Sequence, residues 1–295
     1  MKPYLLAACL DDYIEQHLKP ARADVVRAGY ARDSLVDFFG ADRDVQTLTR
    51  KDGRKYRAKR LKDGVTDSTI RRDMGFGMSA FRFAAEEEKI GAVPVWKLPP
   101  EGAAREVWFT EDQVVKILEQ PMSEPMRLAI YIALGTGARR EAIVTLPVGR
   151  VDLKGGFIDF RDPKKPVTRK RRVKTKMSDW LVPLLSKACE GKAPADLVLG
   201  GNPKTPKHNA RRISDEFGRI LKALGLHDKG VGLHCIRRTF VVWSLTNGAT
   251  MASVSAATGD NVATLEKHYI AYLPEHTSGA TSAIPDHTKG INNAE

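Results

Sequence analysis

His234, Cys235, Ile236 and Arg237 make a His-x-x-Arg, and Tyr269 follows downstream. On a helix the histidine and arginine lie one turn apart on a shared face. A histidine, a planar cation and a phenol are the parts needed to break a phosphodiester by direct attack of a tyrosine. Done without a metal, that reaction asks for a nucleophile, positive charge on the nonbridging oxygens, a donor that tightens in the transition state, and a general acid for the departing 5′ oxygen. Arginine suits the second task, because its planar fork donates two parallel hydrogen bonds to two oxygens at once. Arg139, Arg140 and Arg237 are the candidates.

The composition points to the same kind of substrate. Lys and Arg number 48 against 36 Asp and Glu, a net charge of +12 with a pI near 9.6. Such a balance favours a polyanion partner, nucleic acid first. A membrane is disfavoured: the longest apolar stretch, Leu128 to Leu134, is far short of the roughly 18 residues a span needs. The N-terminal residues carry no apolar signal core and reach acidic Asp11 and Asp12 early, so secretion is not expected. Cys9, Cys189 and Cys235 are widely spaced and form no C-x-x-C, which suggests neither a disulfide framework nor a zinc site. A cytoplasmic, nucleoid-associated protein in a reducing compartment is the expectation.

These groups must be positioned by elements that the periodicity sketches. Up to about Gly91 the pattern is helical, with Ile70, Met74, Met78, Phe81 and Ala85 at spacings of three and four, and Ser68 available as a cap. The stretch from Gly91 to Gly102 has proline and glycine without period and reads as an interdomain linker. Three regions follow: a helical DNA-binding domain with its linker over 1–102, a second domain over 103–274, and a tail over 275–295 that is mobile or docks in trans. In the second domain Thr110 caps a helix, another spans about Pro125 to Leu134, and a short one runs from Arg139 to Leu146. Gly156 to Phe160 and Trp180 to Leu184 look like strands flanking a basic insertion. The fold class predicted is mainly α with a small β-sheet.

The chain resembles the tyrosine recombinase and phage integrase family. Thr136 to Leu146, with Val151-Asp152-Leu153 behind it, is similar to the family's box around its first catalytic arginine, which gives that role to Arg139. His234-x-x-Arg237 with Arg238-Thr239-Phe240 looks like the second box. Gly259 to Tyr269 looks like the third, with Tyr269 as nucleophile. Lys174-Thr175 ahead of Val182-Pro183-Leu184 resembles the hairpin lysine that serves as general acid, with Lys176 the alternative. The resemblance implies an N-terminal helical core-binding domain joined to an α+β catalytic domain. It also implies cutting and rejoining through a 3′-phosphotyrosine, with no metal, ATP or other cofactor. The partners it implies are double-stranded DNA, further copies of the chain in a tetramer on two paired sites, and an accessory DNA-bending or directionality factor.

Two positions depart from the pattern. Where the third box has His or Trp after its glycine, this chain has Asp260, a carboxylate that would repel a phosphorane unless protonated or paired with a cation. The acid that the family carries three residues after its first arginine is Ala142 here, and Glu141 is one position early, roughly 100° away around a helix. Histidines and tyrosines taken singly are more often structural, and Tyr272 lies one turn from Tyr269. It is the ordered boxes that favour the chemical reading.

Two basic runs add DNA-binding candidates. Arg50 to Lys62, with Arg54 and Lys55, and Arg161 to Lys176, with Lys170 and Arg171, are either solvated loops or phosphate contacts from two sides of a duplex, each phosphate adding about 0.9 to the salt slope. Arg71 and Arg72 join them from the helix that holds Met74. A relaxing enzyme of the type IB topoisomerase kind and a non-cleaving DNA-binding protein are the alternatives to a recombinase.

Overall fold

A computed structural model describes residues 2–21, 25–102, 107–162, 171–228 and 230–269. Lys170, Tyr272 and the expected tail over 275–295 fall outside the described residues. The chain divides into two compact units between Ala104 and Arg105. Among the described residues no helix is long and apolar enough to cross a membrane.

The first unit is helical: α1 (Leu6–Asp12), prolonged by a π-helical turn, α2 (Val25–Phe39), α3 (Arg50–Lys62) and α4 (Asp67–Glu86). The apolar period of α4 buries Ile70, Met74, Met78 and Phe81 against Leu35 and Leu6. Its N-cap is Thr66, and Ser68 sits inside the helix instead of capping it. α3 opens on a reciprocal capping box, in which Thr49 accepts from the Asp52 N–H and the Asp52 carboxylate accepts from the Thr49 N–H. The stretch read as a linker is docked over much of its length. Trp96 is fully enclosed, stacked on Phe39 and edge-on to Phe81, and the Arg71 guanidinium donates to the Pro99 carbonyl. An indole offers more apolar area than the segment's proline content suggests, and burying it holds the chain down.

The second unit begins with α5 (Glu111–Glu119), capped by Thr110 as expected, and α6 (Glu124–Thr136), capped by Ser123. Next come α7 (Arg140–Val144), a three-stranded antiparallel sheet of β1 (Val151–Asp152), β2 (Phe157–Asp159) and β3 (Lys174–Lys176), and α8 (Leu181–Cys189). The unit is completed by α9 (Pro206–Ala223), α10 (Leu233–Thr246), α11 (Met251–Thr258) and α12 (Val262–Tyr269). α6 packs on α10, α9 and α8 around Ile130, Ile132, Ile213, Phe217 and Ile236. Thr239 of α10 ties the start of the unit down, accepting from the Phe109 N–H at 2.8 Å while donating to the Cys235 carbonyl at 3.0 Å.

One element differs from the sequence reading. Trp180 to Leu184 is not the return strand but the start of α8; β3 lies earlier, over the Lys-Thr-Lys of the basic run. Pro183 falls in the first helical turn, where the amide it lacks would have had no partner anyway. Leu181 and Leu185 then share one buried face at helical spacing.

α6 ends on Gly137, which takes the left-handed conformation with φ +63, and a Cβ there would meet the Phe240 ring at 2.4 Å. Gly137→Ala combines backbone strain with a clash against a ring that helps fill the adjoining apolar cluster. Its expected cost is about 2–4 kcal/mol. Thermal unfolding should register this as a drop of roughly 4–16 °C in Tm; an unchanged Tm would contradict this packing of Gly137 against Phe240.

Candidate active site

Arg237 stands at the centre of the site. It lies on the second turn of α10 and is only 3% exposed, so its charge must be matched within the fold. Its Nη1 donates to the Gly137 carbonyl at 2.5 Å. Its Nη2 donates to the Thr258 carbonyl at 3.0 Å and to Asp260 Oδ2 at 2.5 Å. Desolvation lowers its pKa, Asp260 pushes it back up, and a guanidinium stays protonated throughout.

Arg139 arrives from the other side as the extended residue just before α7. Its Nη1 donates to the Arg171 carbonyl at 2.8 Å, and its Nη2 is paired with Asp260 Oδ1. The two arginines thus share one carboxylate, each taking one oxygen. Asp260 is itself fixed by the turn that ends α11. Gly259 caps that helix with φ +74, the Asp260 N–H donates to Thr258 Oγ1, and the Asp260 carbonyl accepts from Ser255.

Arg140, the third arginine candidate, turns away to Ser214 Oγ and Glu141. Glu141 is exposed and pairs with Arg140, so it does not stand in for the acid absent at position 142. Ala142 itself is buried in the core.

His234 sits on the first turn of α10 and is partly open to solvent. Desolvation of the inner side, then the charges of Arg238 and Arg237, hold its pKa at about 4, so the imidazole is neutral near pH 7. It therefore offers one donor nitrogen and one acceptor nitrogen. Tyr269 ends α12 and packs beside the small apolar cluster of Val241, Leu245, Val254 and Leu265. Burial raises its pKa, the charge of Asp260 adds to the rise, and the charges of Arg238 and Arg237 oppose it. Arg238 was not singled out from the sequence, although its place one residue after Arg237 in a helix next to the tyrosine is the signal that would have found it.

Lys174 and Lys176 stand on the exposed face of β3, opposite buried Thr175, whose hydroxyl donates to the Ala257 carbonyl of α11 at 2.8 Å. The Lys174 ammonium lies 4.7 Å from the Phe157 ring centroid. Among the described residues neither lysine is hydrogen-bonded to Tyr269 or ion-paired with Asp260. The hairpin is thus anchored to the segment that carries Asp260, with both lysines on its exposed face.

Of the residues expected to meet DNA, Arg54, Lys55, Arg72 and Arg171 have exposed side chains. Arg71 is engaged by Pro99 and Glu101. Within the first basic run, Arg57, Lys59 and Arg60 are paired with Asp67, Asp63 and Asp73. A further basic face went unread: on α9, Lys207, Arg211, Arg212, Arg219 and Lys222 are exposed opposite buried Ile213, Phe217 and Ile220. A period of three to four in both the charges and the apolar residues is the signal that carried it.

The integrase of transposon Tn1549, solved with transposon right-end DNA, superposes with a TM-score of 0.69 at 17% identity, covering 90% of this chain and 95% of that one. A lambda integrase tetramer bound to a Holliday junction gives 0.68 at 17%, covering 88% and 78%. A lambda integrase dimer on a core site gives 0.69 at 17%, covering 88% and 96%. At this identity the likeness establishes the fold. No curated protein matches the sequence. The model of the phage integrase family matches residues 107–276, more than half of the chain, and with its helical fold and small sheet the chain belongs to that family.

Proposed function

We propose that this protein is a site-specific DNA recombinase that cuts and rejoins strands through Tyr269. The observation that supports it is the meeting of Arg139 and Arg237 on one pair of anionic oxygens, with Tyr269 within electrostatic reach of Arg237 and Arg238. Two guanidinium groups converging on neighbouring oxygens match the nonbridging oxygens of a phosphodiester. Tyr269 Oη gives its proton to solvent water and attacks phosphorus, the bond to O5′ breaks, and a 3′-phosphotyrosine and a 5′ hydroxyl result. Arg139, Arg237 and the donor nitrogen of His234 steady the phosphorane, and Lys174 delivers the proton that O5′ needs. The linkage keeps the bond energy, so rejoining to another strand requires no nucleotide. Exchange between two sites needs four active sites, hence a tetramer on paired DNA, and an accessory DNA-bending or directionality factor belongs to the same reading.

A second reading has its own support. Asp260 already fills the space between the arginines, as it would in a non-cleaving DNA-binding protein. A nicked suicide substrate, which traps the adduct by losing the 5′ fragment, separates the two. The recombinase reading expects a covalent complex from the native chain and none from Tyr269→Phe. No adduct from either would favour the silent protein, and equal yields would remove Tyr269 as nucleophile.

The general acid has a direct test. Lys174→Ala should slow adduct formation by roughly 10²–10⁴ on an ordinary phosphodiester. A 5′-thio leaving group, which departs without a proton, should restore most of the rate. If Lys176→Ala shows that pattern and Lys174→Ala does not, the role passes to Lys176.

For His234, the folded state binds a proton less readily than the unfolded chain, whose histidine titrates at about 6.5. The residue therefore subtracts stability as pH falls below that value toward about 4. NMR of the free protein should place the ring's midpoint at about 4, and bound DNA should raise it. A free-protein midpoint of about 6.5 would contradict a ring that is desolvated and flanked by two arginines.

A further inference from the structure

We propose that Asp260 is a positioning residue that keeps the place of the scissile phosphate, holding Arg139 and Arg237 side by side in the free protein and giving them up when the phosphodiester arrives. This rests on the reading of the site as a phosphodiester-cleaving centre, and goes beyond it by giving a role to a residue that the chemistry does not require.

Both hydrogens of Arg237 Nη2 are committed, one to the Thr258 carbonyl and one to Asp260 Oδ2, and its Nη1 is already held by the Gly137 carbonyl. The Thr258 and Gly137 bonds are made to backbone at the ends of α11 and α6, so they cannot yield without moving a helix. The carboxylate is the only side-chain partner of this guanidinium among the described residues. Arg139 is arranged more loosely: the backbone carbonyl of Arg171 takes one hydrogen of Nη1, and Asp260 Oδ1 takes one of the two on Nη2. A phosphate that accepts from Nη2 of both arginines needs the volume that the carboxylate now occupies and, on Arg237, the hydrogen that it takes.

The carboxylate is also needed when no DNA is present. Two guanidinium groups that converge on one point repel each other, and Arg237 is too enclosed for water to screen it. Among the described residues no second acid is paired with Arg139: Ala142 is apolar and Glu141 pairs with Arg140. Asp260 can nevertheless leave. Its side chain keeps 21% exposure, and the turn that carries it is held through backbone atoms by Thr258 and Ser255, so rotation of the side chain alone would free both arginines.

Inorganic phosphate tests this on the full chain without DNA. Asp260→Asn keeps the shape and removes the charge. Calorimetric titration should show phosphate binding to this variant at least about tenfold tighter than to the native chain, because one like charge at contact is gone. Phosphate should also raise its Tm, while the native chain and Asp260→Glu respond weakly. Equal phosphate affinity for the native chain and Asp260→Asn would overturn the proposal. Should that variant not fold, a structure of Tyr269→Phe on uncut DNA decides. The Asp260 carboxylate is expected to have left at least one arginine, and both ion pairs kept with a phosphate alongside would refute it. Phosphate binding does not depend on Tyr269, so a failed cleavage reading and a failed placeholder give different results.

Discussion

A single buried guanidinium organises the second unit. Arg237 cannot be left without partners inside the fold, since an uncompensated buried charge costs several kcal/mol. Its partners come from two places far apart in sequence: Gly137 at the end of α6, and the turn that ends α11, which supplies both Thr258 and Asp260. Satisfying one side chain therefore fixes how α6, α10 and α11 meet. The same bonds bring Arg139, which follows Gly137 closely, to the carboxylate that Arg237 uses.

Part of this was legible in the sequence. The His-x-x-Arg spacing reads as a helix face, and α10 presents His234 and Arg237 on its first two turns. Gly137 and Gly259 stand where helices end, and both take the left-handed conformation there. The hairpin was harder. Trp180 to Leu184 has an apolar run too short for periodicity to separate strand from helix, and its proline argued for a break that the first turn of a helix accommodates. The resemblance put Lys174 on a hairpin, but no local pattern marked β3, because its three residues are Lys, Thr and Lys, and what holds them is the backbone ladder to Phe157–Asp159 and the Thr175 bond to Ala257. Neither is visible in a local pattern.

Charge counts overstated some surfaces and missed another. The run over Arg50–Lys62 looked like a uniform cationic patch, yet three of its members are paired with aspartates on or before α4, in contacts that only the folded chain creates. The aspartate at 260 looked like a defect when judged against phosphate alone. In the structure its near neighbours are cations, which changes the sign of the argument: a carboxylate beside two arginines relieves repulsion instead of adding to it. Sequence position told which residue stood there, but not what it faced.

Anion sites are commonly built at helix N-termini, where free N–H groups and the positive end of the dipole meet the ligand directly. Here the order is reversed. Two helix C-termini, those of α6 and α11, direct their carbonyls at Arg237, the polarity that suits a cation. The helix ends hold the arginine, and the arginine is left to hold the anion. On the proposed reading this places a full positive charge, instead of a partial one, where the phosphodiester reacts, and backbone that cannot rotate away keeps it there. Such a charge stabilises a developing dianion better than dipoles alone, but it demands a counter-charge whenever the anion is absent. A carboxylate on the turn that also supplies one of those carbonyls meets the demand with the least rearrangement, because the segment that anchors Arg237 carries the group that neutralises it.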